Sequence, residues 1–433
     1  VTGSRIKRAD YEGPLPITVI TRDDIDTSGE ISVSELLRTQ TFNTFGSDKQ
    51  HSGGIVGSVN TVNMRGLDPY YTLVLLNGRR MASAPSFSSG VQNLSMIPLA
   101  AVERIEVLRD GASAIYGSDA LAGVINIILR KDYEGLNLRA DFARPTQSGG
   151  NEEAYSIVGG VTGARGNVTF ALAKQERDIV FQVDRSFSSE RFSFLGFPGS
   201  YFAYLEADDP RNPTGNFLSV GTFPDPRCPA ELGTDPEFPN SQLVSYGTPD
   251  GQGLCFYNYA SDGAQEAAND TKSFFVSADY NINETTSFFA QGTFSYNDSF
   301  GRYAPAPVRG FFWSQDDPNN PTDPANPTNA DGLSYFGQQV SIDSDGDDVP
   351  DQTVTGPFDL SYNYRNVPGG PRDFNYDDTL LHYVAGIEGA VGWLGGADWQ
   401  LAAQYSEQSS NGRTSGDLLE SALNLAVANG ELD

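Results

Sequence analysis

Seven stretches of this chain alternate apolar and polar residues with a period of two, a pattern that gives a strand one apolar face and gives a helix none. Leu136, Leu138, Ala140 and Phe142 alternate with Asn137, Arg139 and Asp141. Tyr155, Ile157, Gly159 and Val161 follow, then Val168, Phe170 and Leu172, then Phe274, Val276, Ala278 and Tyr280. Phe288, Ala290, Gly292, Phe294 and Tyr296 alternate with Phe289, Gln291, Thr293 and Ser295. Leu381, Tyr383, Ala385, Ile387 and Val391 form a sixth run; Trp399, Leu401, Ala403 and Tyr405 form a seventh, against Gln400, Gln404 and Ser406. Each approaches the roughly 9–11 residues that carry a tilted strand across a bilayer. Small polar residues on the second face suit a wet lumen better than a dry sandwich core. No apolar run reaches the roughly 18 residues of a membrane-crossing helix. The alternative is a soluble antiparallel β domain with large insertions.

Composition narrows the function. Asp and Glu number 56 against 28 Lys and Arg, a formal charge of −28, so no positive field is available for nucleic acid. Aromatics at 11% argue for an ordered chain rather than an acidic disordered one. The 46 Gly and 25 Pro favour many turns over long helices. With only His51 and His382, no CxxC and no GxSxG, neither a zinc centre nor a His-based triad is expected, and the chain is read as no enzyme. The first residue is Val1, which suggests a mature or truncated form.

Residues 1–133 read differently, as a small α+β domain. Ser32-Val33-Ser34-Glu35 is a capping box that starts a short helix. Thr72 to Leu76 is a continuous apolar strand followed by Asn77-Gly78, a hairpin signal. Pro98 stands where a helix begins, Arg104 to Leu108 alternates as a strand, and Ala112 to Tyr116 is a short helix stopped by Gly117. Val124 to Leu129 is another buried strand.

The run VERIEVLRDGASAIYGSDALAGVINII at 102–128 closely resembles the plug signature of TonB-dependent outer-membrane receptors. Asn63-Met64-Arg65-Gly66 and Leu75-Leu76-Asn77-Gly78-Arg79 resemble further plug motifs, in the right order. Val1, Thr2 and Gly3 resemble the end of the TonB-coupling segment. The resemblance implies a fold: an α+β plug domain at 1–133, then the N-terminal part of an antiparallel transmembrane β-barrel at 134–433. Tight turns at 163–166, 281–285 and 394–397 alternate with long loops at about 179–270 and 299–376. With a periplasmic plug, all three turns fall on the periplasmic side and both loops outside, which is the outer-membrane pattern. Seven strands fall short of the family's roughly 22, and an open edge in lipid is costly. The rest of the barrel is therefore expected in a longer chain or a second one.

Several residues are candidates for particular roles. Cys228 and Cys255, in the first long loop, fit one disulfide, with free thiols as the alternative. Asp343, Asp345 and Asp347 stand at positions one, three and five of a calcium-like loop, with Asp351 at position nine. That loop departs from the pattern at Asp348, where Gly is usual, and at Val354, where an acid is usual. By resemblance, His51, Phe87, Gln92 and Asn93 lie on plug loops that meet ligand. Arg65, Glu103, Arg104, Glu106 and Arg109 are expected, again by resemblance, to pair with the inner barrel wall.

The function implied is TonB-dependent import of a scarce or large nutrient, a ferric siderophore-like ligand or an oligosaccharide or peptide, across a bacterial outer membrane. Its partners would be TonB with its inner-membrane energising complex, an extracellular ligand and outer-membrane lipid, with a surface lipoprotein as a further candidate. No cofactor is required, a structural calcium aside. The alternative is a surface-binding or assembly platform on a plugged barrel, without energised transport.

Overall fold

The computed structural model describes residues 17–43, 58–86, 90–109, 112–212, 214–246, 252–317, 320, 322–323, 339–342, 352–391 and 397–417. The first part is an α+β domain. Strand β1 (Ile17–Ile20) leads into helix α1 (Arg22–Ser28), then α2 (Val33–Arg38). Strands β2 (Thr72–Leu76), β3 (Arg79–Arg80) and β4 (Val102–Leu108) follow, then helix α3 (Ser113–Tyr116) and strand β5 (Gly123–Leu129). The sheet order is β1-β4-β5-β2-β3. β2 and β5 run parallel and are covered on both faces, which explains why β2 is apolar at nearly every position.

Local chemistry accounts for the elements. Ser32 caps α2 by accepting from the Glu35 backbone, as its sequence signature predicts. α1 was not legible as a helix; its capping box is made by Thr21 and Asp24, and Gly29 closes it in the left-handed region. Asn77 and Gly78, both at positive φ, turn β2 into β3. Gly123 is required by space as well as conformation: a Cβ there would lie 2.5 Å from the Leu108 carbonyl oxygen and 2.8 Å from Met64 Sδ. The helix expected at Pro98 is only a single 3-10 turn, Leu99–Ala101, because the chain enters β4 at Val102.

The seven alternating segments form one antiparallel sheet in sequence order. Its strands are Gly135–Ala143, Glu152–Gly163, Gly166–Arg177, Ala268–Asn281, Thr286–Tyr303, Arg372–Val391 and Ala397–Ser415. The last three run 18–20 residues, well beyond their apolar cores. Register places Leu138, Ile157, Leu172, Phe274 and Phe294 in one row across five strands. All five side chains are exposed, Leu138 by 68%. Tyr155, Tyr280, Tyr383, Trp399 and Tyr405 stand exposed on the same sheet. The opposite face is covered. Val158, Ala171, Phe275 and Leu380 are buried in one cluster with plug residues Leu36, Leu37, Met64, Met96 and Ile105.

The compact units do not divide the chain at residue 133. The plug and the seven strands belong to one unit; a second comprises Phe181–Gly263, Tyr303–Arg372 and Ser415–Asp433. The two long excursions, expected as loops, thus fold together. Ser200–Leu205 pairs with Leu218–Pro224 on one side and with Asp359–Arg365 on the other, and Pro307–Trp313 completes a four-stranded sheet. Tyr201, Leu205, Phe223, Val340, Val354, Phe358 and Leu360 are the core of this unit. Cys228 and Cys255 are disulfide-bonded beside it.

The crosslink closes a sequence separation of 27, so its loss releases about 3 kcal/mol of unfolded-state entropy. Replacing both cysteines by serine should make residues 181–263 sensitive to limited proteolysis while the seven strands stay protected. Equal sensitivity of excursion and strands would contradict the division into units.

Candidate functional site: the polar seam between plug and sheet

The inner face of the sheet meets the plug through side chains that alternate with the apolar outer ones. Ser295 Oγ donates to the Met96 carbonyl oxygen at 2.7 Å, and Asn77 Nδ2 donates to Gln291 Oε1 at 2.8 Å. Beside the β2–β3 turn, Arg79 donates to Gln400 Oε1, Gln404 donates to the Arg80 carbonyl, and the Ala82 N–H donates to Ser406 Oγ at 2.8 Å. His382 Nδ1 shares a hydrogen bond with that same Ser406 hydroxyl. At the domain junction the Tyr133 N–H donates to Thr169 Oγ1 at 3.1 Å, and Thr169 donates to the Lys131 carbonyl.

Two ionic contacts hold the helices. Arg139 on the first sheet strand lies 2.8 Å from Asp26 of α1, which also accepts from Arg22. The Arg22 hydrogen bond chiefly holds the Asp26 carboxyl below the usual carboxylate range, with the charge of Arg139 adding to it. Arg177, at the end of the third sheet strand, is only 7% exposed. It lies 3.3 Å from Glu35 of α2 and 3.6 Å from Glu266, and donates to the Ala267 carbonyl. Next to it Gln175 donates to the Ile31 carbonyl. Burial, with the charge of Glu35 adding to it, pushes the Glu30 carboxyl upward.

The five charges expected to face the wall make contacts inside the plug. Arg104 pairs with Glu106 at 2.9 Å, Glu103 lies 3.9 Å from Arg130, Arg65 donates to the Arg109 carbonyl, and Arg109 stacks over Phe42. The seam described above is built by other residues: Asp26, Glu35, Asn77, Arg79 and Met96 from the plug, and Arg139, Gln175, Arg177, Gln291, Ser295, Gln400, Gln404 and Ser406 from the sheet. Of these, Gln291, Ser295, Gln400, Gln404 and Ser406 were readable as the polar half of the alternation. The pairing of Arg177 with Glu35 carried no sequence signal, since it spans 142 positions.

Gln92 and Asn93 are both buried, not presented on an open loop. Asn93 Oδ1 accepts from the Asn60 and Ser95 backbones and its amide donates to the Ser58 carbonyl, so it ties two plug segments together. Val1, Thr2, Gly3, His51, Phe87, Asp343, Asp345, Asp347 and Asp351 lie outside the described residues.

Arg177→Met leaves Glu35 and Glu266 without their shared cation and should cost about 3 kcal/mol, the low end for a largely buried pair. Faster amide exchange across Val33–Arg38 is the expected readout, and wild-type exchange there would refute the tether. The Asp26 contact has a definite pH sign. A carboxyl whose folded pKa is depressed adds stability that is present above its unfolded value near 4 and is lost as pH falls through the folded value. Protection of Arg22–Ser28 should hold from neutral pH down to about 4 and drop below it. Asp26→Asn should flatten that profile.

Residues 9–124 match the family model described as TonB-dependent Receptor Plug Domain. Among solved structures, the chain is similar to a mutant ferric enterobactin receptor from Pseudomonas aeruginosa in complex with enterobactin. That match has 14% identity, covers 92% of this chain and 50% of that one, and has a TM-score of 0.43. It is also similar to the ferric preacinetobactin receptor from Acinetobacter baumannii, at 11% identity, 93% and 48% coverage and TM-score 0.40. A third is the outer-membrane ferripyoverdine receptor of Pseudomonas aeruginosa, at 13% identity, 97% and 47% coverage and TM-score 0.40. The chain spans about half the length of these structures. With the motifs at 63–66, 75–79 and 102–128 set in one five-stranded α+β domain, this chain carries the plug domain of a TonB-dependent receptor, followed by an antiparallel sheet.

Proposed function

We propose that this chain serves energised import of a scarce or large nutrient across a bacterial outer membrane. The observation that carries the reading is the placement of a TonB-dependent receptor plug on the polar face of a sheet whose other face is apolar. An apolar outer face with exposed Tyr and Trp suits lipid, and a polar inner face suits a plugged lumen. The tight turns then lie on the periplasmic side and the two excursions outside. Ligand binding outside changes the availability of the segment around Val1–Gly3. TonB pairs with that segment as an added strand, a mode that draws on main-chain hydrogen bonds and demands little of sequence. Work from the inner membrane breaks the seam tethers, and the plug shifts or partly unfolds. No bond is made or broken.

The ligand class follows from charge. Between 304 and 371 the chain holds ten Asp, no Glu and two Arg. Such a surface slows the approach of a bare anion and favours neutral or cationic cargo, an oligosaccharide, a peptide or a metal chelate of low charge.

Deleting the coupling segment that includes residues 1–5 should abolish accumulation of ligand while leaving the protein in the outer membrane. Unchanged uptake would sink the energised mechanism and leave a surface platform. Abundance in iron-starved and iron-replete cells sorts the cargo: a large rise on starvation selects ferric chelates, and no change selects glycans or peptides.

A further inference from the structure

The sequence carries Asp-Pro-Arg twice, at 209–211 and 225–227, and both copies belong to the excursion unit. They fold alike. In each, the aspartate side chain is buried and its Oδ1 accepts from the arginine's backbone N–H and from Nε, at 3.0 Å in the first copy and 2.9 Å in the second. Its Oδ2 accepts from Nη2. The proline between them fixes φ. A guanidinium has five N–H donors and this clamp takes two, so three stay available to other acceptors. Arg211 shows how they are used. Its Nη1 donates to the Thr355 and Pro357 carbonyl oxygens at 2.8 and 2.7 Å, and its Nη2 donates to Gln315 Oε1. The first clamp thus holds two main-chain carbonyls that stand two residues apart.

We propose that Arg227 is a ligand-contacting residue that donates to main-chain carbonyl oxygens of a neutral peptide, as Arg211 does to Thr355 and Pro357. The inference deepens the import reading and rests on it for the external position of this unit. Arg227 is 61% exposed against 28% for Arg211, and among the described residues its side chain bonds to Asp225 alone. The turn that presents it is nevertheless fixed from several sides. The Asp225 N–H donates to the Gly199 carbonyl, the Cys228 N–H donates to the Asp225 carbonyl, and Cys228 is disulfide-bonded to Cys255. A fork that is already ordered loses little further freedom when it binds. The buried Asp225 carboxylate offsets the guanidinium charge, so an anion at Arg227 also meets a like charge close by, whereas a carbonyl gains the hydrogen bond without that repulsion. Were Arg227 only the counter-ion of Asp225, a lysine or a pair of neutral amides would serve equally well.

The test uses the full receptor purified in detergent. The probe is a peptide digest with its amines acetylated and its carboxyls amidated, citrate is the anionic comparator, and retained probe is quantified by mass spectrometry after ultrafiltration. Arg227→Lys keeps the charge and loses the fork; Asp225→Asn with Arg227→Gln replaces the ion pair by two amides. The wild type should retain blocked peptides in preference to citrate, and each variant should bind them about tenfold more weakly, the worth of one charge-assisted hydrogen bond. Limited proteolysis separates the two clamps: Arg211→Lys should loosen residues 181–263, and Arg227→Lys should leave them as resistant as in the wild type. No retention of peptides by the wild type, retention unchanged in both Arg227 variants, or a preference for citrate overturns the assignment. Cleavage of Arg227→Lys as ready as that of Arg211→Lys also overturns it, by making Arg227 a tie within its own chain. Uptake by cells is read separately: Arg227-dependent retention by the purified chain without uptake overturns import and leaves the contact residue standing.

Discussion

The inner face of the sheet cannot stand alone, and most of this structure follows from that. Its strands present Ser, Thr, Gln and Asn where a dry core would need apolar side chains, and these groups find partners on the plug. Phe275, fully buried, sits among Val158, Ala171 and Leu380 in the same cluster as the plug core. Neither layer therefore has a complete interior of its own. The plug supplies hydrogen-bond partners and apolar cover together, and the sheet gives α1 and α2 a wall to pack on.

The seam combines few strong contacts with many weak ones. An exposed ion pair such as Arg139–Asp26 contributes about 0–1 kcal/mol, and a neutral hydrogen bond contributes about 1 kcal/mol net. Arg177, with three partners and little exposure, is the strongest single contact. Contacts of this size hold the plug securely as a set but yield one at a time under a directed force. The buried apolar contacts of Val158, Ala171, Phe275 and Leu380 with the plug core resist as a block, and the polar contacts around them are the part that can yield stepwise. The polar seam thus suits the proposed import cycle, in which the same plug must seal at rest and move when pulled.

The legible parts of this fold are those in which neighbours in sequence are neighbours in space. Strands joined by 163–166 or 281–285 announce themselves by alternation, and Asn77-Gly78 specifies its hairpin by backbone conformation alone. The excursion unit was read as loop because its pairings are remote. Ser200–Leu205 bonds to the distant Asp359–Arg365; the latter alternates, with Leu360, Tyr362 and Tyr364 against Ser361, Asn363 and Arg365, but its partner carries Tyr201 and Phe202 on opposite faces and gives no such pattern. The candidate site divides along the same line. Inward Gln and Ser residues were visible as half of a pattern, whereas Arg177 with Glu35, and Arg139 with Asp26, are single charges brought together only by the docking of helices on strands. Asn93 shows the converse: a polar residue in a loop suggests a binding role, yet its side chain is consumed in closing the backbone at Ser58, Asn60 and Ser95.

The excursion unit must order a strongly acidic chain, and how it does so bears on what it can bind. Asp209 and Asp225 are buried, and each is met by an arginine two residues on, Arg211 at 2.6 Å and Arg227 at 2.8 Å. Arg211 chiefly holds the Asp209 carboxyl below the usual range by hydrogen bonding. Tyr201, Tyr362 and Tyr364 stack alongside, and burial raises the hydroxyls of all three. The unit's few cations are thereby drawn into local pairs, as Arg211 and Arg227 are, or laid over rings, as Arg309 is over Phe194 and Arg365 over Tyr257. By composition the second excursion stays acidic, with ten Asp against two Arg between 304 and 371. On the proposed reading, that surplus of Asp would slow the approach of a bare anion.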